Sequence, residues 1–212
     1  MYDAFISYSQ KRDKPIAQAL CTVIQSIGKP WWRRRSLDIF LDATSLSAAP
    51  GLWPELERKL GSSRFLILLA SREAAASPWV DKEVAVFLGA AGKGVDHILL
   101  AKTDGELAWD SSRGDFVWNE KTPLPPSLKG RFDAEPLWVD LRSYREAPQD
   151  ANKKNADFLG RALDLAATIR GVAKEDLYSE ELRRQRRNLA WAYGAAGALM
   201  LLAGVAGALG YF

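Results

Sequence analysis

The sequence holds one cysteine, Cys21, and one histidine, His97. A lone thiol excludes a disulfide within the chain, and two such residues cannot furnish the ligand set of a Cys/His zinc site. Cys21 stands at helical spacing among Leu20, Val23 and Ile24, a packing position rather than a nucleophile's, and His97 opens the apolar run Ile98-Leu99-Leu100. With no Cys–His or Ser–His arrangement to build from, catalysis would have to rest on carboxylates. A glycine-rich phosphate loop is also missing: Gly89, Gly92 and Gly94 follow a helical pattern instead of opening one. Met1–Phe5 has neither a basic region nor a long apolar one, so no secretory leader is read and the folded part is expected in the cytoplasm. Low-complexity tracts and internal repeats are absent. The net charge of +3 is local, because Arg183, Arg184, Arg186 and Arg187 carry four positive charges and residues 1–182 sum to −1. A nucleic-acid footprint is thereby excluded.

What is present is an ordinary globular composition, 48% hydrophobic and 26% charged over 212 residues, with one exceptional segment. Asn188–Phe212 carries no charge. As a helix it would span ~37 Å, against ~30 Å for a bilayer core. Trp191 and Tyr193 mark one end, Tyr211 and Phe212 the other, where interfacial aromatics belong. The arginine cluster directly before the span orients residues 1–187 to the cytoplasm, so the expected location is the inner membrane, single-pass. Small residues four apart, at Ala203/Gly207 and Ala206/Gly210, would let such helices pair closely. A buried helix of a globular domain is the alternative.

The remainder reads as alternating strands and helices. Tyr2–Tyr8, Leu37–Leu41, Phe65–Ala70, His97–Ala101 and Leu137–Leu141 are strand-like, and Phe5, Ile6, Phe65, Ile67 and Leu69 are expected in the core. Ile16, Leu20, Val23, Ile24 and Ile27 follow a helical period that Gly28 ends, and Leu52, Leu56 and Leu60 line a second helix. Ser77-Pro78 supplies an N-cap and a first-turn proline for a third, and a last helix runs from about Asn152 to Arg170. This pattern predicts an α/β fold of three layers, a five-stranded parallel sheet in flavodoxin-like order 2-1-3-4-5 between helices. The expected organisation is a domain at 1–170 with a long irregular insertion at 103–135 packed through Trp109, Phe116 and Trp118. A basic juxtamembrane segment at 171–187 and a transmembrane helix at 188–212 follow. Ligands of such sheets sit where the strand order reverses, here between the first and third strands, so the loop after Tyr8 and the helix after Ala70 should line the site.

Trp79 and Glu83 lie one turn apart on the helix beside that crevice, with Phe87 a turn further. A carboxylate among aromatics is partly desolvated, a setting in which function concentrates. The spacing by itself fits a surface glutamate on an amphipathic helix at least as well. A phosphorelay receiver would share the fold but needs an aspartate at the end of the third strand, where this chain has Ala70-Ser71.

Three segments carry a resemblance. YDAFISYS (2–9) resembles the first signature box of TIR (Toll/interleukin-1 receptor) domains; FLDATSLSAAPGLWPELERKL (40–60) resembles their second strand, BB loop and following helix. SPWVDKEV (77–84) resembles the helix bearing tryptophan and glutamate in NAD-cleaving members. The three occur in the expected order over residues 1 to about 170. The chain is similar to bacterial members in which a domain with a long Trp-containing insertion and a PPSLKGRF-like stretch (125–132) precedes one transmembrane helix, some continuing into β-propeller repeats. On that resemblance, a naturally short form or a fragment is expected.

The resemblance implies that Glu83 is the catalytic glutamate and Trp79 its partner one turn earlier. It further implies that Ser9 lies where the loop after strand 1 approaches substrate, that Asp42 stands at the mouth of the BB loop, and that Trp53 lies near the aromatic contacting the nucleotide. Some NAD-cleaving relatives carry arginines directly after the first box, whereas here Ser9-Gln10 precede Lys11 and Arg12. The implied reaction is cleavage of NAD+ to nicotinamide and ADP-ribose or a cyclic product, with NAD+ as substrate and neither cofactor nor metal. Clustering through the BB loop, residues 42–51, with other TIR domains would switch it on, in a setting such as antiphage defence. The alternative is a non-enzymatic scaffold that recruits other TIR domains.

Overall fold

The computed structural model describes residues 2–27, 36–41, 52–179 and 183. The chain divides into two compact units, Met1–Gly171 and Val172–Phe212. In the second, residues 174–179 are helical. Among the described residues no helix is long and apolar enough to cross a membrane. The expected span at 188–212 lies outside the described residues, as does most of the basic segment before it.

The first unit is built on five parallel strands. These are β1 (Tyr2–Ser7), β2 (Ile39–Leu41), β3 (Ser63–Ala70), β4 (Ile98–Lys102) and β7 (Trp138–Asp140), in the order β2-β1-β3-β4-β7. That is the 2-1-3-4-5 arrangement expected from the alternation of strand and helix. The register pairs Phe5 with Leu66, Ile6 with Ile67 and Ile67 with Leu99, so the apolar runs of β1, β3 and β4 sit side by side in the middle of the sheet. Both faces of these strands are covered, which is why FLILLA shows no alternation of apolar and polar residues.

Helix α1 (Lys14–Ser26) buries Ile16, Leu20, Val23 and Ile24 and packs against α6 (Ala156–Arg170). Asn155 caps α6 by accepting the Asp157 and Phe158 amides, and Gly171, at φ 68°, closes it in the left-handed region that a residue with a Cβ adopts poorly. On the opposite side, α2 (Leu52–Ser62) and α4 (Pro78–Gly89) contribute Leu56, Leu60, Val80, Val84 and Phe87 to a core that includes Phe5, Leu66 and Leu68. Ser77 caps α4 through the Val80 amide with Pro78 in its first turn, as Ser77-Pro78 suggests.

Three local expectations are corrected. Phe65 is only partly buried, because it lies near the start of β3 and stacks on His97 with ring centroids 5.6 Å apart. His97 closes a short 3-10 turn, Val95–His97, and the fourth strand begins one residue later. The insertion is ordered: β5 (Trp109–Asp110) and β6 (Asp115–Phe116) form an antiparallel ribbon, followed by a 3-10 turn at Pro126–Leu128. A short α3 (Arg72–Ala75), capped by Ser71, and α5 (Ser143–Glu146) complete the unit.

Candidate active site

Helix α4 places Glu83 against the sheet. The carboxylate is 2% exposed, and the Ser7 hydroxyl donates to its Oε2 at 2.5 Å. Side chains alternate along a strand, so Ser7 points to the same face as Phe5, toward the α2–α4 layer. That hydroxyl fixes one carboxylate oxygen. A surface glutamate is therefore ruled out for this position. Trp79, one turn earlier, is 42% exposed, whereas Phe87, one turn later, is fully buried. The face thus runs from solvent through the carboxylate into the core.

Trp53, on the first turn of α2, meets Trp79 edge to face, with centroids 5.0 Å apart and ring planes at 79°. The Lys82 ammonium stands 3.7 Å above the Trp53 ring. Two indoles and a cation beside a buried carboxylate suit a flat, partly charged ligand: the rings offer stacking surface and the lysine a partner for an anion. Sequence reasoning missed Ser7 and Lys82. Ser7 reads as one polar residue in an apolar strand, and its partner lies 76 positions away.

Of the other expected site residues, Ser9 is buried in the turn between β1 and α1, its carbonyl accepting the Asp13 amide at 3.2 Å. Asp42 and the whole 42–51 loop lie outside the described residues. Trp53, Trp79 and Glu83 are thus gathered on the α2–α4 side.

The carboxyl ends of β1, β3 and β4 hold a different cluster. Buried Asp13 accepts the Ser71 hydroxyl at 2.6 Å and the Thr103 hydroxyl at 2.8 Å, and its Oδ1 pairs with Arg145 at 3.5 Å. Arg145 also bonds Glu73 at 2.5 Å and approaches Asp104 at 3.8 Å, while Arg72 holds Asp104 at 2.7 Å. Burial raises the Asp13 pKa above the ordinary aspartate value, against the opposing pull of its two hydroxyl donors and of Arg145. An ion network of the protein's own side chains thus stands at the carboxyl ends of these strands. Among the described residues no group of three or more His, Cys, Asp and Glu side chains is placed to hold a metal ion.

A neighbouring set ties β4 to β7. Asp140 accepts from Arg142 at 2.8 Å and pairs with Lys102 at 3.3 Å. Burial pushes the Asp140 carboxyl up, but the hydrogen bonds from Arg142 and the Lys102 charge outweigh it and bring the pKa down to about 2. A depressed folded-state value means that the stabilisation is fully present above the unfolded value near ~3.9 and is lost as pH falls toward 2. After allowance for solvent screening it is worth ~1 kcal/mol. Asp140→Asn should therefore lower stability by about that amount at pH 7, and the gap to wild type should close between pH ~4 and ~2 in denaturant titrations.

Residues 4–153 match the family model for the TIR domain. The chain belongs to the TIR domain family. A curated relative, the NAD(+) hydrolase ApTIR of Actinoplanes sp., is 39% identical over 209 residues, which is 97% of this chain and 29% of the relative. This TIR protein therefore spans less than a third of that relative's length. Among solved structures, the TIR domains of the activated Roq1 resistosome, described as directly recognizing the pathogen effector XopQ, align with 87% of this chain and 99% of that chain. The identity is 14% and the TM-score 0.37, too low to carry an argument.

Proposed function

We propose that this TIR domain cleaves NAD+ at the nicotinamide–ribose bond, with Glu83 as the catalytic carboxylate. The observation that carries the reading is a buried glutamate, anchored by Ser7, beside the Trp53–Trp79 pair. The name of the 39% identical relative supports it. In the reaction the glycosidic C–N bond breaks and its electron pair leaves on the nicotinamide nitrogen, which becomes neutral. Positive charge develops at the ribose carbon in an oxocarbenium-like state. A fixed anion at that point stabilises charge that appears only in the transition state, so it raises the rate rather than ground-state binding. Trp79 and Trp53 stack and shield the rings. Water adds at the ribose carbon and sheds a proton to give ADP-ribose, or adenine captures that carbon to give a cyclic product. NAD+ is the substrate, and neither cofactor nor metal takes part. Ser9 and Asp42 are assigned to the substrate-facing loops on the resemblance described above.

The site is completed when two copies meet through residues 42–51, so activity follows assembly. Residues 188–212 anchor the chain in the inner membrane, with residues 1–187 cytoplasmic, and confinement to two dimensions raises the effective concentration of copies. Protease added outside right-side-out vesicles should leave the domain intact, and protease added to inside-out vesicles should digest it; the reverse pattern refutes the orientation.

A second reading is a non-enzymatic TIR scaffold. It is favoured by Ser9-Gln10 standing where some NAD-cleaving relatives carry arginines, and by the low exposure of Glu83, which substrate must reach. The experiment that separates the two is nicotinamide release by the full chain reconstituted at rising density on vesicles. Turnover per molecule that climbs with density supports the hydrolase. Assembly without nicotinamide release at any density establishes the scaffold.

A further inference from the structure

The insertion between β4 and β7 is more than a connection. Phe116, Leu124, Leu128 and Phe132 share one buried cluster with Val80, Val84 and Phe87 of α4, and the Pro126–Leu128 turn packs on that helix. The contact has a polar pin. The Asp81 carboxylate accepts the Ser127 amide at 2.8 Å, and the Asp81 carbonyl accepts the Ser127 hydroxyl at 3.3 Å. Asp81 lies between Trp79 and Glu83 on the same turn of helix. The insertion is itself held together: the Asp115 carboxylate accepts from the Trp118 indole at 2.8 Å and the Gly130 amide at 3.0 Å, linking the β5–β6 ribbon to the loop behind the turn. Thr122 donates to the Val117 carbonyl at 2.8 Å and accepts the Asn119 amide at 2.9 Å.

We propose that residues 122–132 form a brace that sets the position of α4, and that Asp81 and Ser127 are positioning residues for Glu83. The inference rests on the proposed NAD+ cleavage for its catalytic half only. Ser7 holds the Glu83 carboxylate from the sheet side, while the brace holds the helix that carries it from the outer side. Apolar contacts alone let a helix slide by small amounts, since the hydrophobic effect is not directional. Two hydrogen bonds to one residue define both height and rotation.

The test uses the full chain on vesicles with three variants and two readouts. Asp81→Ala removes the acceptor for the Ser127 amide and should lower kcat by ~10²-fold with KM little changed, the scale that a misplacement of about 1 Å produces. Asp81→Asn keeps an acceptor oxygen and should restore most of the rate. Leu128→Ala, which thins the apolar contact, should lower kcat in the same sense. Independently of turnover, hydrogen exchange of the 80–89 amides should quicken in Asp81→Ala and Leu128→Ala while β1 and β3 amides stay as protected as in wild type. Unchanged kcat and unchanged α4 exchange in Asp81→Ala would overturn the brace. So would failure of Asp81→Asn to rescue, since the charge rather than the bond would then matter, or loss of protection spread over the whole sheet. A wild-type chain without turnover removes the proposed activity, yet α4-confined exchange would still uphold the brace.

Discussion

Glu83→Gln should abolish NAD+ consumption by the clustered chain while leaving its fold intact. Glutamine matches glutamate in size, and its carbonyl oxygen can still accept the Ser7 hydroxyl, so the β1–α4 contact survives. What disappears is the negative charge. Loss of one well-placed electrostatic partner of a transition state costs ~10²–10³ in rate, about 3–4 kcal/mol. Stability should move the other way or not at all, because a carboxylate that is 2% exposed pays for desolvation that a neutral amide avoids. The expected signature is thus a melting temperature at or above wild type together with nicotinamide release at least a hundredfold slower. A variant that cleaves NAD+ as fast as wild type removes Glu83 from the mechanism.

The largest effect on stability should come from Ile67→Asp. Ile67 is fully buried in β3, between Ile6 of β1 and Leu99 of β4 in register. An aspartate there has no charged partner and loses its hydration, a penalty of several kcal/mol. Domains of this kind are stable by only ~5–15 kcal/mol, so the variant should populate the unfolded state at 37 °C. Ile67→Val, which removes one methylene group from the same place, should cost only ~1 kcal/mol. Circular dichroism melts of the two variants check both values. Equal melting of Ile67→Asp and wild type would contradict the central position of β3.

The elements that were legible from sequence are those whose signal is periodic or chemically specific. FLILLA names a strand covered on both faces, and β3 is the middle strand of the sheet. Ser77-Pro78 names the first turn of α4, and Trp79 and Glu83 share a face because the helix repeats every 3.6 residues. Edges were harder. Phe65 belongs to an apolar run, yet its place near the start of β3 leaves it half covered, a fact of strand length rather than of residue type. The two-residue strands β5 and β6 are too short for any period. They are held by Asp115 and by edge-to-face contacts of Phe116 with Trp109 and Phe132, which only the folded chain brings together.

Polar partnerships across long sequence separations were the least visible. Asp13, Glu73, Asp104 and Arg145 follow no pattern along the chain, although their side chains meet at the end of the sheet. The Ser7–Glu83 bond, 76 positions apart, and the Asp81–Ser127 bond, 46 apart, are of the same kind. Trp79 and Glu83 could be singled out from their spacing and the TIR resemblance. Their support from β1 and from the insertion could not, because a hydroxyl in a strand and a serine after two prolines carry no mark of what they will touch.

On the proposed mechanism, NAD+ is bound and cleaved beside Glu83, between the two tryptophans and the sheet. This is tested most directly by a structure of the clustered full chain with carba-NAD+, in which a methylene group replaces the ring oxygen of the nicotinamide riboside and blocks cleavage. The ribose should lie within hydrogen-bond distance of the Glu83 carboxylate, with one base stacked on Trp53 or Trp79 and Lys82 withdrawn from the Trp53 ring. Carba-NAD+ bound elsewhere on the domain, with Glu83 still enclosed and the Trp53–Trp79 pair untouched, would contradict it.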